Sequence, residues 1–205
     1  MAKWLSTFLV LVWIFPGSCP AQNWDVELLD RINPQYPTST FWAQTSHSAY
    51  WVPAVATVGT LAYGILKKDK QAKLNGVELI LSIGASAAIC QSIKWAVGRT
   101  RPGDAYPNLI YPDTPNHDNQ SFPSGHTSFV FATATTLSLQ YKKWYVTVPA
   151  FAWAGSVGYS RMYLGKHYPS DVFGGIVVGA GSACLSHWLS KKLFYPKPKK
   201  TEALD

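Results

Sequence analysis

Residues 160–171 read SRMYLGKHYPSD, an arginine, a lysine, a histidine and an aspartate set between two runs of small and apolar residues. Two more stretches are chemically similar: KWAVGRTRP (94–102) closes one apolar run, and FPSGHTS (122–128) opens another. Lys94, Arg101 and Arg161 supply fixed positive charge. Arginine presents a planar fork suited to phosphate oxygens, and lysine a compact point charge. Pro123 suits the first turn of a helix, where the amides of Ser124 and Gly125 would be unpaired and open to an anion. Gly125 has no Cβ and lets backbone approach closely. Together these residue types describe a cup for one anion.

Taken singly, each segment has a plainer explanation. Lys94 and Arg101 suit an interface where long stems snorkel toward polar headgroups. Pro-Ser-Gly is a common helix entry. Arg161, His167 and Asp171 would make a surface ion pair worth ~0–1 kcal/mol. Two histidines and an aspartate also suit iron or zinc, but three neighbouring cations would repel a metal ion. The anion reading gains because all three segments fall on one side of the chain's predicted topology.

That topology rests on five apolar stretches, at about 50–66, 77–97, 125–140, 145–158 and 172–190. Gly, Ala, Ser and Thr are abundant in them and permit close helix–helix approach in lipid. Lysine-rich connections, KKDKQAK and YKKW, follow the first and third stretches, and a lysine-rich tail follows the fifth. The positive-inside rule puts all three in the cytoplasm. The connections 98–124 and 159–171, with residues 22–50, then face the opposite side. The predicted fold is therefore all-α, a polytopic membrane bundle of about five helices. It occupies 50–190, with the tail at 191–205. A soluble bundle with buried helices of the same type is the competing architecture.

Composition agrees. Nearly half of the 205 residues are apolar and only 14% are charged, against about 25% in a typical soluble domain. A mean hydropathy near zero reflects polar loops and the many hydroxyl-bearing residues inside the helices. The net charge of +7 is spread over short lysine-rich pieces without one patch interleaved with aromatics, which argues against nucleic acid. Cys19, Cys90 and Cys184 make no metal or disulfide spacing; the latter two read as small core residues. Residues 1–21 have the short apolar core of a secretory signal, cleaved after Ala21, or of a signal-anchor; acylation at Cys19 is a further alternative. Residues 22–49 begin with a short amphipathic helix, its stripe Trp24, Leu28 and Ile32, ending at Pro34 and lying on the membrane surface.

The ordered set Lys94-x6-Arg101-Pro102, Pro123-Ser124-Gly125-His126, and Ser160-Arg161-x5-His167-x3-Asp171 resembles the type 2 phosphatidic acid phosphatase superfamily. That superfamily includes lipid phosphate phosphatases, class A acid phosphatases and vanadium haloperoxidases. All three motifs match in order and spacing. The resemblance implies that His167 is a nucleophile forming a phosphohistidine. It implies that His126 protonates the leaving oxygen, and that Lys94, Arg101, Arg161, Ser124 and Gly125 hold the phosphate oxygens. Asp171 is the carboxylate at hand to fix the tautomer of His167. No metal or other cofactor is expected.

The expected substrate is a lipid phosphate or pyrophosphate whose tails stay in the bilayer: phosphatidic acid, phosphatidylglycerol phosphate, undecaprenyl pyrophosphate or lipid A. The expected location is the inner membrane, with the site facing the periplasm or exterior. Residues 103–122 would form part of the mouth; Tyr106, Tyr111, Asp113, His117 and Asp118 are candidates to contact the headgroup, and solvated loop positions are the plainer reading for most of them. Three rival readings remain: an exported soluble acid phosphatase acting on small monoesters, a haloperoxidase, and a non-catalytic membrane protein that binds anionic lipid.

Overall fold

The computed structural model describes residues 21–115 and 117–194. The signal, anchor and acylation readings for residues 1–20 and the tail reading for 195–205 lie outside the described residues. Those residues fold into helices without a strand: α1 (Ala21–Ile32), α2 (Thr40–Leu66), α3 (Lys70–Val97), the single turn α4 (Pro102–Ala105), α5 (Gly125–Tyr141), α6 (Trp144–Tyr163) and α7 (Pro169–Phe194).

Local sequence explains most of the ends. Ser39 caps α2 by accepting from the Trp42 amide at 3.5 Å. Asp69 caps α3 by accepting from the Gln71 and Ala72 amides at 2.8 and 3.1 Å, which relieves donors that have no partner inside the helix. Gly98 ends α3 in the left-handed region at φ +58°, where a residue without a Cβ is favoured. Pro169 is the first residue of α7, a position that has no use for an amide hydrogen.

Several helices are longer than hydropathy predicts. α2 starts at Thr40, not near 50, so the segment 22–49 divides between α1 and the first turns of α2. Those turns hold Ser46 and Ser48, both buried and hydrogen-bonded into the bundle, and a hydropathy window rejects them. α3 absorbs part of the lysine-rich link, and α6 runs to Tyr163, so Ser160 and Arg161 sit in its last turn. Pro123 does not enter α5. It precedes the N-cap Ser124, and the Phe122–Pro123 peptide is cis.

The short links between α2 and α3 and between α5 and α6 make antiparallel neighbours. α5 lies at the centre, touching α2, α3, α6 and α7. It buries hydroxyls there: Thr136 Oγ1 donates to the Ala132 carbonyl at 2.8 Å, and Thr133 Oγ1 to the Phe129 carbonyl at 2.9 Å. A side chain that returns its hydrogen to its own helix is tolerated inside. α5 therefore needs no lipid-facing hydropathy. α2, α3 and α7 are long and apolar enough to cross a membrane, and large apolar side chains such as Val58, Ile80, Phe173 and Val177 project from them uncovered. α7 closes tightly on α5 at Gly175, where a Cβ would stand 2.6 Å from the Ser124 carbonyl oxygen.

α1 docks against α6 and α7. Its buried face is Asp25, Val26 and Leu29, continued by Asn33 just past its end. The expected stripe of Trp24, Leu28 and Ile32 is not that face; Trp24 is 59% exposed. Asn33 explains the difference. Its amide bridges the Tyr111 and Tyr163 carbonyls at 3.0 and 2.8 Å, so polar bonds set the roll of α1. Cys90 is buried as expected, but Cys184 is exposed.

Candidate active site

The link between α6 and α7 delivers His167, 2% exposed, just ahead of α7, and Asp171, fully buried, in the first turn of that helix. His167 Nδ1 faces Asp171 Oδ2 at 3.5 Å, a long approach, and makes no formed hydrogen bond. Asp171 is itself fully committed. Its Oδ1 accepts from Arg99 Nη1 at 2.7 Å. Its Oδ2 accepts from Ser121 Oγ at 2.6 Å and from the Tyr168 amide at 3.0 Å. Arg99 extends this network to α1 through Asp25 Oδ2 at 2.7 Å and lies 3.8 Å over the Tyr168 ring. Asp25 also accepts from the Ser170 amide at 2.8 Å and from the Ser170 hydroxyl.

Burial pushes the His167 imidazole down to about 3, against the pull of Asp171 and with help from Arg161 and Arg101. His167 is thus neutral near pH 7, the form in which a ring nitrogen has a lone pair to offer.

Next to this pair lies a cavity of about 330 Å³, lined by Ser46, His47 and Tyr50 of α2, His126 of α5, Arg161 of α6, and Asp113, Thr114 and Lys166 of the loops. Arg161 is 8% exposed. Its Nη1 donates to Ser46 Oγ at 2.6 Å, while its Nε is buried without an acceptor. A buried donor with no partner is costly until a ligand supplies one. His126 packs edge-on against Tyr50, ring centroids 4.7 Å apart, within electrostatic reach of Arg161, His167 and Arg101. Lys166 is held by Asp113 at 2.8 Å and by Thr114 Oγ1 at 2.6 Å; burial lowers its affinity for a proton, and Asp113 offsets part of that.

The remaining cations are engaged elsewhere. Lys94 Nζ donates to the carbonyls of Gln120 and Ser121. Arg101 Nε and Nη2 grip Asp118 at 2.7 and 3.3 Å, and its Nη1 donates to the Lys166 carbonyl at 3.2 Å. Burial would raise the Asp118 carboxyl, but the Arg101 hydrogen bond and charge hold it below its ordinary value. The Ser124 amide is not free as expected, since it donates to the Asp171 carbonyl at 2.9 Å. The Ser124 hydroxyl caps α5, accepting from Thr127 Oγ1 at 2.9 Å, and keeps its own hydrogen to give. Gly125, first in α5, has no intrahelical acceptor for its amide. A Cβ there would lie 4.0 Å from Lys94 Cε, so α3 and α5 meet at this point.

All eight candidates therefore stand at one end of the bundle. The PAP2 superfamily model matches residues 75–195, more than half the chain. The chain belongs to the PAP2 superfamily. It is 29% identical over 146 residues to an undecaprenyl-diphosphatase of Sulfolobus acidocaldarius, covering 71% of this chain and 66% of that one. It is 29% identical over 166 residues to a lipid A 4'-phosphatase of Bacteroides thetaiotaomicron, covering 76% of this chain and 72% of that one. The chain thus spans about two-thirds of the length of these curated relatives. Its fold matches the transmembrane PAP2-type phosphatidylglycerolphosphate phosphatase of Bacillus subtilis with a TM-score of 0.71, over 94% of this chain and 96% of that one, at 21% identity.

Beside the PAP2 motif positions, the structure adds residues that motif reading did not assign. Arg99 and Lys166 lie inside the quoted stretches, and the doubled arginine in GRTRP was the available signal. Ser121, Asp25 and Ser46 had none, because their partners lie 50, 74 and 115 positions away. Of the expected mouth residues, Asp113 reaches the cavity. His117 points outward and pairs with Asp104 at 2.8 Å. Among the described residues, no three His, Cys, Asp or Glu side chains are placed to hold a metal ion.

Proposed function

We propose that this PAP2 protein is a membrane phosphatase that hydrolyses the phosphate or pyrophosphate of a lipid headgroup at the outer face of the membrane, through a phosphohistidine on His167. The observation that carries the reading is a neutral, buried His167 backed by a locked carboxylate, beside a cavity into which the underused guanidinium of Arg161 opens.

The chemistry follows from the positions. Nδ1–H of His167 points at Asp171, leaving Nε2 to attack phosphorus in line with the departing oxygen. The P–N bond forms as the P–O bond breaks, and His126, which takes up a proton when the phosphate dianion binds among these cations, gives that proton to the leaving oxygen. A water, deprotonated by His126, then attacks the phosphohistidine and releases phosphate and free imidazole. Arg161, Lys94, Arg101, the Ser124 hydroxyl and the Gly125 amide hold the equatorial oxygens, where a phosphoryl transition state spreads its charge. Lys94 and Arg101 must exchange loop carbonyls and Asp118 for those oxygens. The outer-face orientation rests on the lysine-rich links at the opposite end. The uncovered apolar side chains of α2, α3 and α7 favour a membrane-embedded enzyme over a soluble one acting on small monoesters.

The test is phosphate release by purified protein from phosphatidic acid, phosphatidylglycerol phosphate, undecaprenyl pyrophosphate and lipid A, with His167→Ala as control and EDTA present. Release from at least one lipid by the parent alone is expected. Binding without release, equal in both proteins, would favour a non-catalytic lipid binder.

A further inference from the structure

At the other end of the bundle, a cavity of about 630 Å³ opens between the first turns of α3 and the last turns of α5 and α7. The proposed reaction uses none of its residues. Its floor is polar within an apolar helix interface. Glu78 is 6% exposed, and its Oε1 lies 2.8 Å from His187 Nδ1. Its second oxygen makes no hydrogen bond among the described residues. Gln140 Nε2 donates to the Asn75 carbonyl at 2.9 Å. A carbonyl only accepts, so that bond fixes the amide's orientation and leaves Gln140 Oε1 buried with no donor. The mouth is cationic: Lys142, Lys191 and Lys192 line it, with Lys192 Nζ 5.1 Å over the Trp188 ring.

The two levels ask for opposite things. The floor has an open carboxylate oxygen and an orphaned amide oxygen, so it needs N–H donors and positive charge. The mouth needs negative charge. An inorganic anion satisfies only the mouth and would meet the Glu78 carboxylate beneath. A simple cation satisfies only the floor and must pass three lysines. A primary ammonium joined by a short chain to a phosphate diester satisfies both at once. Leu189 and Leu193, exposed on the same turns of α7, give acyl chains an apolar wall.

We propose that this cavity binds the headgroup of a phosphoethanolamine phospholipid from the leaflet opposite the catalytic site. The ammonium sits on Glu78 and Gln140, and the phosphate sits against Lys142 and Lys191. The ligand is a resident lipid and not the substrate, because it lies at the far end of the bundle from His167. A choline headgroup is excluded at the floor, since a quaternary ammonium has no hydrogen to give. A glycerol headgroup is disfavoured because it brings no positive charge.

The test is native mass spectrometry of the full chain in detergent, titrated with dioleoyl phosphatidylethanolamine, phosphatidylcholine, phosphatidylglycerol and free phosphoethanolamine. The ethanolamine lipid should be retained about tenfold better than the other two lipids, and the free headgroup should be retained weakly. Glu78→Gln should erase the preference, and Lys142→Ala with Lys191→Ala should weaken retention of the ethanolamine lipid about tenfold. Phosphate release should be unchanged in both variants. Should Glu78→Gln fail to fold, the lysine pair on the rim still decides. Equal retention of the three lipids, or retention indifferent to these substitutions, would overturn the proposal. Free phosphoethanolamine binding as well as the lipid would overturn the lipid as occupant.

Discussion

The two sides of His167 are built in opposite ways. Behind it, Asp171 spends both oxygens on Arg99, Ser121 and the Tyr168 amide, and Arg99 is tied in turn to Asp25 of α1. In front, the Arg161 Nε has no acceptor, while Lys94 holds loop carbonyls and Arg101 holds the partly exposed Asp118 carboxylate and the Lys166 carbonyl. The carboxylate that must face the His167 Nδ1–H at a fixed angle is held by three hydrogen bonds. The groups that must receive an anion have partners a phosphate can replace. Pre-organisation serves the nucleophile, and unsatisfied donors serve the substrate.

Substitutions that act on one side alone separate the two. His167→Ala removes the centre of both and should lower kcat by at least about 10⁴-fold while the protein stays folded; phosphate release at parental rates would remove it as nucleophile. On the front, Arg161→Ala should cost about 10²–10³-fold in kcat/KM and weaken inhibition by vanadate in parallel. On the back, Asp25→Asn leaves the cup untouched and loosens Arg99. A fall of about tenfold in kcat with unchanged KM is expected, since α1 positions Asp171 and does not touch substrate. A change in KM alone would show that α1 belongs to the substrate side. The smallest effect should come from Asp118→Asn, which frees Arg101 from a competitor that stays ionised at neutral pH. Vanadate should bind about threefold tighter, and weaker binding would mean that Asp118 orients Arg101.

Acid should act on the back. The unfolded chain takes up the His167 proton below about pH 6.5, whereas the folded protein takes it up only near 3. Unfolding between these values therefore binds up to ~1 additional proton, and stability present above 6.5 is lost as pH falls. The melting temperature of the parent should drop more steeply from pH 6.5 to 4 than that of His167→Ala. Parallel slopes would mean that His167 is not buried as described.

What the sequence made legible follows the same division. The front is spelled by short motifs, because phosphate recognition needs particular residue types at fixed local spacing; Lys94, Arg101, Ser124, Gly125, His126 and Arg161 could be named without coordinates. The back could be named only at His167 and Asp171. Asp25, Ser121 and Arg99 act through contacts across many residues of chain, and neither a serine in a loop nor an aspartate on a short helix has a local pattern that announces its partner. The helices were legible where lipid demands apolar runs, but α2 was misplaced at its start, where Ser46 and His47 replace apolar residues to line the cavity. Pro123 shows the limit of propensity: suited to a first turn, it stands instead just outside α5.

The central claim is that His167 attacks phosphorus from within this divided site. Purified protein mixed with ³²P-labelled lipid phosphate and quenched in alkali, where phosphohistidine survives, tests it directly. Label on the peptide that contains His167, absent from His167→Ala, is the predicted result. Rapid phosphate release with no labelled protein at any time, or label retained in His167→Ala, would contradict it.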